Sequence, residues 1–342
     1  MARATGAEAC NMNLTRSLGN DGPRLFAVGL GCMAMSGIYG AADDAESIAT
    51  IHDAMDRGIQ LLDTGDFYGM GGNELLIGKA LAGGRRDKAF IQVKFGAQRD
   101  PAGNWLGFDG RPAAVKTALA YTLNRLGTDR VDLYQPARLD TKVPIEETVG
   151  AIAELVQAGY VRYIGLSEMG VETIRRAQAV HRIVALQIEY SLMSRSIERE
   201  ILPAIGELGM AITAYGILSR GLLGGRSTEA MRPGDFRAHL PRWSGDNERR
   251  NLALVQALDA IAKEKGATTP QLALAWVLSR GDEIFPLAGP RTRAQLDDLL
   301  GAADVDLTAD DLRRIEEAVP HDEVAGTRYA EPQMAMLDSE RG

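Results

Sequence analysis

An α/β chain folded as a (β/α)8 TIM barrel, with an N-terminal β-hairpin and long C-terminal loops, is what this sequence predicts, and three observations carry it. Eight short runs are rich in apolar and β-branched residues. Longer segments between them repeat apolar residues every three to four positions, and glycine closes those segments. Strand and helix alternating in this way is the pattern of a closed parallel barrel.

Taken in chain order, NLTRSLGNDGPRLFAV turns at Gly19-Asn20-Asp21-Gly22, which marks a β-hairpin expected to cap the barrel floor. LFAVGLGC is the first strand run, followed by the helical segment DAESIATIHDAMDRG, which ends at Gly58. IQLLDTGD and AFIQVKFG are the second and third runs, and PAAVKTALAYTLNRLG follows as a helix with Pro112 at its start and Gly127 at its end. VDLYQPA, the helix IEETVGAIAELVQAG, VRYIGLSE, ALQIEYS and AITAYG continue the alternation, and NLALVQALDAIAKEKG leads to the last run, EIFPLAG. Residues 217 to 247 break the rhythm with a long polar stretch bearing Gly and Pro, and loops of that length in a compact domain are usually functional. No linker or low-complexity stretch divides the chain, so residues 1–342 are expected to form one domain with its core at about 13–327.

Charge and composition exclude several classes of function. A net charge of −8 and a pI near 5.2 argue against a nucleic-acid partner, which requires a basic stripe to displace counterions. The N-terminus lacks the apolar run of a signal peptide and no later stretch has the length of a membrane span, so a cytoplasmic enzyme with no membrane partner is expected. Cys10 and Cys32 form no CxxC pair, and His52, His181, His239 and His321 have no metal-ligand spacing, so no metal is expected.

In a barrel of this type chemistry belongs at the C-terminal ends of the strands. Asp63 ends the second run with Tyr68 five residues on, and Lys94 ends the third. Taken singly, Asp63 also suits a turn cap, Tyr68 a buried aromatic and Lys94 a solvated strand end. Together, a phenol beside an ammonium and a carboxylate is a proton donor, with the cation expected to lower the tyrosine pKa.

The stretches LLDTGDFYG, GGNELLIGKAL, VKFG, VPIEETVGAIAELVQAG, VRYIGLSE, ILSRGLLGG and QLALAWVL, in this order, resemble the aldo-keto reductase superfamily. The resemblance extends to the bacterial and plant branch with GLSE at strand five and a C-terminal segment like AVPHDEVAGTRY. It implies NADPH-dependent reduction of a small-molecule carbonyl compound to an alcohol, with Tyr68 as general acid tuned by Asp63 and Lys94. The same resemblance places Gly31, Met33 and Asp63 beside the cofactor and puts the nicotinamide carboxamide on Ser167, Glu168 and Gln187. Tyr215 falls where the ring is stacked, and Gly216, Leu218, Ser219, Arg220, Gly221 and Leu222 fall in the loop over the pyrophosphate. Gly289, Arg291, Arg293, Gln295 and Asp298 fall at the adenosine end, where two arginines at a helix start suit a 2′-phosphate. Tyr39, Trp105, Ala137, Arg138 and Trp243 are candidates for the substrate pocket, with Met33 and Phe108 beside them.

One departure stands out. Relatives commonly read YxHR where this chain has Gln135-Pro136-Ala137-Arg138, so the histidine that helps position the carbonyl becomes Ala137. The superfamily varies here, since steroid 5β-reductases carry Glu and potassium-channel β subunits Asn at the matching place. Leu299 likewise replaces an asparagine expected at the adenine. Two alternatives follow: a nucleotide-binding, redox-sensing module with little turnover, or a barrel lyase that uses Lys94 as a Schiff base.

Overall fold

The computed structural model describes residues 14–231 and 235–341. Each of the eight predicted runs is a barrel strand: β1 Gly29–Gly31, β2 Leu61–Gly65, β3 Phe90–Phe95, β4 Val131–Pro136, β5 Val161–Ser167, β6 Ile183–Glu189, β7 Ala211–Tyr215 and β8 Ile284–Ala288. All neighbouring pairs are parallel, and the ring closes where Leu287 and Ala288 of β8 pair with Gly29 and Leu30 of β1. That seam is tight, because a Cβ at Gly29 would lie 2.6 Å from Leu61 Cδ2 and 2.7 Å from Leu287 Cδ2.

The helices that clothe the barrel are α1 Asp44–Asp56, α2 Gly72–Leu81, α3 Pro112–Leu126, α4 Ile145–Gln157, α5 Val171–Val180 and α6 Ile201–Leu208. They are followed by α7 Gly245–Glu264, α8 Thr269–Leu278, α9 Arg293–Leu300 and α10 Ala309–Ala318. Their ends follow local chemistry. Asp43 caps α1 by accepting from Glu46 N, and Thr268 and Gln271 form a reciprocal capping box on α8. Gly127 closes α3 in the left-handed conformation at φ 65°.

The expected hairpin forms, with Thr15–Ser17 antiparallel to Arg24–Phe26. It carries Leu18 into a fully buried cluster with Leu61, Phe90, Leu133, Val184, Ala211 and Phe285, residues from the N-terminal halves of the strands. Burying one such leucine is worth about 1.5 to 3 kcal/mol, so the plug stabilises the floor and leaves the opposite mouth for chemistry.

The stretch at 217 to 247 is not loop throughout. Short 3-10 turns form at Ser219–Gly224, Phe236–His239 and Pro241–Trp243, and α7 begins at Gly245, inside the stretch read as loop. Cys10 lies outside the described residues. Among the described residues no helix is long and apolar enough to cross a membrane.

Candidate active site at the barrel mouth

Strand register brings the polar centre together. Asp63 pairs with Gln92 and Gly65 with Lys94, so the two side chains rise from adjacent strands at the C-terminal end. Asp63 Oδ1 accepts from Lys94 Nζ at 2.6 Å and from the side-chain amides of Gln92 and Gln187 at 3.0 Å each. Both charged side chains are buried, and three donors on one oxygen fix the carboxylate in place. Burial pulls the Lys94 ammonium below its ordinary pKa while Asp63 opposes that shift.

Tyr68 opens a short turn beyond β2, and its ring lies 5.0 Å from Lys94 Nζ. Phe67 packs edge-on against it at 4.8 Å. Burial first, and then the Asp63 carboxylate, push the Tyr68 phenol well above its ordinary value, and the Arg138 charge pulls the other way. This corrects the expectation that Lys94 lowers the pKa. The ammonium is held by Asp63 at hydrogen-bond distance, and the carboxylate's own charge acts on the phenol together with the cost of burying phenolate.

The residues at β5 to β7 form a second network. Glu168 follows β5 in the left-handed conformation, at φ 54°, and is fully buried. Its carboxylate accepts from Arg328 Nη1 and Nη2 at 2.7 and 2.6 Å, from Tyr215 Oη at 2.7 Å and from Ser339 Oγ at 2.8 Å. Burial alone would raise its pKa, but Arg328 overrides that and holds it at about 2. The Tyr215 proton goes to Glu168, so the 2.9 Å contact between the Tyr215 and Tyr329 hydroxyls requires Tyr329 to donate.

At the β7 turn Ser219, Arg220 and Gly221 all have positive φ, at 45°, 59° and 105°. Arg220 lies over the Tyr329 ring at 4.7 Å, and its Nη2 is buried without a hydrogen-bond partner. Tyr39 links three segments: its hydroxyl accepts from Arg220 Nη1 at 3.4 Å, its carbonyl from Arg291 Nη1 at 3.2 Å, and Arg237 lies over its ring at 4.9 Å.

The remaining candidates separate. Gly31 pairs with Asp63 in the barrel, and Met33 opens the turn beyond β1. Ser167 is buried at the end of β5, and Gly216, at φ 69°, sits against Glu189. Leu218 is partly buried against the core, whereas Leu222 is fully inside it. Gly289 follows β8, and Gln295 Oε1 accepts from Arg291 N. Arg293 is exposed and paired with Glu46 at 2.9 Å, and Asp298 accepts from Thr268 Oγ1 at 3.0 Å, so both already have partners away from the mouth. Trp105 stands on an outlying hairpin, 38% exposed, with Phe108 against it at 4.8 Å. Trp243 is 2% exposed with Arg237 over its ring, which makes it packing beneath the long loop and not an open pocket wall.

Arg328, Tyr329 and Arg237 were not singled out by sequence reasoning. The signal for the first two was present in GTRY, a motif that accompanies GLSE; the contact between Glu168 and Arg328 explains that companionship.

A model of the Aldo/keto reductase family matches residues 27–320. A probable aldo-keto reductase from Glycine max is 42% identical over 315 residues, covering 91% of this chain and 90% of that protein. The structure is similar to a glycerol dehydrogenase from Gluconobacter oxydans, with a TM-score of 0.81, 30% identity and coverage of 90% and 95% of the two chains. It is also similar to the holo form of an aldo-keto reductase from Bacillus halodurans, with a TM-score of 0.75, 29% identity and coverage of 90% and 96%. With a phenol, an ammonium and a carboxylate converging at the mouth of this barrel, the chain belongs to the aldo-keto reductase family, whose members are oxidoreductases of carbonyl compounds.

Proposed function

We propose that the chain reduces an aldehyde or ketone to an alcohol with NADPH, and that Tyr68 protonates the carbonyl oxygen. The observation that carries this reading is the meeting of Tyr68, Lys94 and Asp63, with the ring 5.0 Å from an ammonium that is itself fixed 2.6 Å from the carboxylate. A bound reduced nicotinamide supplies the hydride. Tyr68 carries its proton at neutral pH, as an ordinary phenol does, and delivers it as negative charge develops on the oxygen. Lys94 and Asp63, bonded to each other, hold the phenol's surroundings rigid.

The residues also fit the dinucleotide. The positive-φ run at Ser219 to Gly221 suits a phosphate oxygen, and Arg220, whose Nη2 makes no hydrogen bond and lies 3.6 Å from Glu189, adds positive charge there. Arg291 makes no ion pair among the described residues and precedes α9, which suits a 2′-phosphate, whereas Arg293 is committed to Glu46. Ser167, Gln187 and Tyr215 would orient the nicotinamide. Residues 1–342 act as one catalytic domain in this reading, on a small molecule, in the cytoplasm.

The test is NADPH oxidation with a panel of aldehydes, ketones and vicinal diketones. Turnover supports the proposal. Tight nucleotide binding without turnover would favour a redox-sensing module, and borohydride trapping of substrate on Lys94 would favour a Schiff-base lyase.

A further inference from the structure

Most of the charged side chains around Tyr68 and Tyr215 are matched among the described residues. Lys94 pairs with Asp63, Arg328 with Glu168, Arg237 with Asp235, and Arg220 and Arg242 both approach Glu189, at 3.6 and 3.4 Å. Arg138 has no carboxylate partner among the described residues. Its one close bond runs from Nη1 back to the carbonyl of Ala137 at 2.6 Å, and its contacts to Ser167 Oγ and Tyr329 Oη are both 3.5 Å. A guanidinium has five N–H donors, so most of its capacity is unused in a part-buried position. Glu168 acts on this cation only from beyond ion-pair distance, so its donors have capacity left for an acceptor that arrives with a ligand.

The backbone places that capacity beside the missing histidine. Ala137 N donates to Phe95 O at 2.8 Å, just beyond Lys94, and the Arg138 side chain folds back over Ala137. Its Nη1 also lies 3.5 Å from Ser167 Oγ at the end of β5, and its charge acts on both Tyr68 and Lys94. Tyr329 cannot fill the role as it stands, because its proton is committed to Tyr215.

We infer that Arg138 is a catalytic residue: its free N–H donates to the carbonyl oxygen and supplies the positive charge there, in place of the histidine that Ala137 lacks. Arg138 keeps its proton throughout. Tyr68 gives up the proton that forms the alcohol, and the guanidinium stabilises the developing oxyanion until that transfer is complete. The inference rests on the proposed carbonyl reduction.

The experiment uses the full chain, a neutral nitrobenzaldehyde, and an α-keto acid with its ethyl ester as a matched pair. NADPH affinity is read separately by fluorescence. Arg138→Ala is expected to lose about two to three decades in kcat for neutral and charged substrates alike, the range for one oxyanion donor, with NADPH affinity nearly unchanged. Added guanidinium ion should restore a large part of the loss, while methylammonium should not, because only the former reproduces the fork. The alkaline limb of the variant's profile should move upward, since the charge that lowers the Tyr68 pKa is gone. If Arg138→Ala does not fold, Arg138→Lys carries the test: it keeps the charge and the stem and should retain only part of the rate.

Several results would overturn the inference. Unchanged kcat in either variant would remove Arg138 from the chemistry. A loss that follows NADPH affinity would place it on the cofactor, and a loss confined to the α-keto acid would make it an anchor for a substrate carboxylate. If the wild-type chain binds NADPH yet reduces none of these carbonyls, the proposed function itself fails. That outcome differs from a reductase indifferent to Arg138.

Discussion

Arg328 grips Glu168 with two N–H donors, at 2.7 and 2.6 Å, and so fastens the C-terminal segment to the end of β5. Ser339 adds a hydroxyl donor to the same carboxylate, and Gly170 N donates to Asp338 Oδ2 at 2.9 Å. Tyr329 is thereby set against Tyr215 and Arg220 at the mouth. Breaking a buried pair on one side leaves the other charge uncompensated, at a cost of about 3 to 5 kcal/mol. Glu168→Gln should therefore lower the melting temperature and loosen the segment beyond Thr327, read by amide hydrogen exchange; an unchanged melting curve and protection pattern would contradict the role given to this pair.

The same pair fixes a pH dependence. Glu168 has a folded pKa of about 2 against an ordinary value of 4.5, so the unfolded chain binds its proton first as pH falls. Its contribution to stability is complete above about 4.5 and is lost as pH falls towards about 2. In Glu168→Gln that share of the acid sensitivity should disappear, which urea unfolding at a series of acidic pH values measures.

Asp66 carries the opposite sign. Burial, and next the Glu74 carboxylate, raise its pKa to about 7, and its Oδ1 is buried without a donor. The folded state then holds a proton that the unfolded state has released, so this residue lowers stability as pH rises from about 4 to about 7. Asp66→Asn should gain stability at pH 8 relative to pH 4 when compared with the wild-type chain. Parallel stability curves for the two proteins would contradict the assignment.

Cofactor choice is tested at Arg291, whose guanidinium bonds, among the described residues, to the Tyr39 carbonyl alone. Arg291→Ala should weaken NADPH by about one to two decades, the equivalent of one charged hydrogen bond of about 1.5 to 3 kcal/mol, and leave NADH nearly unchanged. Equal weakening of both nucleotides would place Arg291 away from the 2′-phosphate.

The strands were legible because a buried parallel strand must be an almost continuous apolar run, and IQLLDTGD or ALQIEYS can scarcely be anything else. Asp63 and Lys94 were legible for a related reason, since each ends such a run and the barrel places strand ends together. The turns between Ser219 and Trp243 were not, because Gly- and Pro-rich composition reads as loop whether or not the backbone closes 3-10 bonds. Trp243 was placed in the pocket from residue type alone, and its burial beneath Arg237 depends on how that loop folds. The contact of Glu168 with Arg328 spans 160 residues, a distance over which no periodicity carries information. The direction of the Tyr68 shift depends on burial and on pairing of Lys94 with Asp63, neither of which is written in the residue types.

Position 137 is expected to divide substrates by size. Ala137→His adds a donor and fills space, so small reactive aldehydes should gain in kcat/KM, while bulky carbonyls should lose by overpacking of about 1 to 3 kcal/mol. A uniform gain across a graded series would mean that Ala137 makes no room for substrate, and no change anywhere would mean that this position does not face the carbonyl.

The proposed carbonyl reduction depends on Tyr68 as the proton donor, and one measurement addresses that role most directly: the single-turnover rate of NADPH oxidation by a reactive aldehyde in Tyr68→Phe, alongside NADPH affinity by fluorescence. The ring and its packing against Phe67 survive in this variant, and only the hydroxyl is removed. A loss of at least about two decades in the chemical step, with nucleotide affinity nearly unchanged, is the expected result. Hydride transfer at the wild-type rate would contradict it and send the search for the acid elsewhere in the barrel mouth.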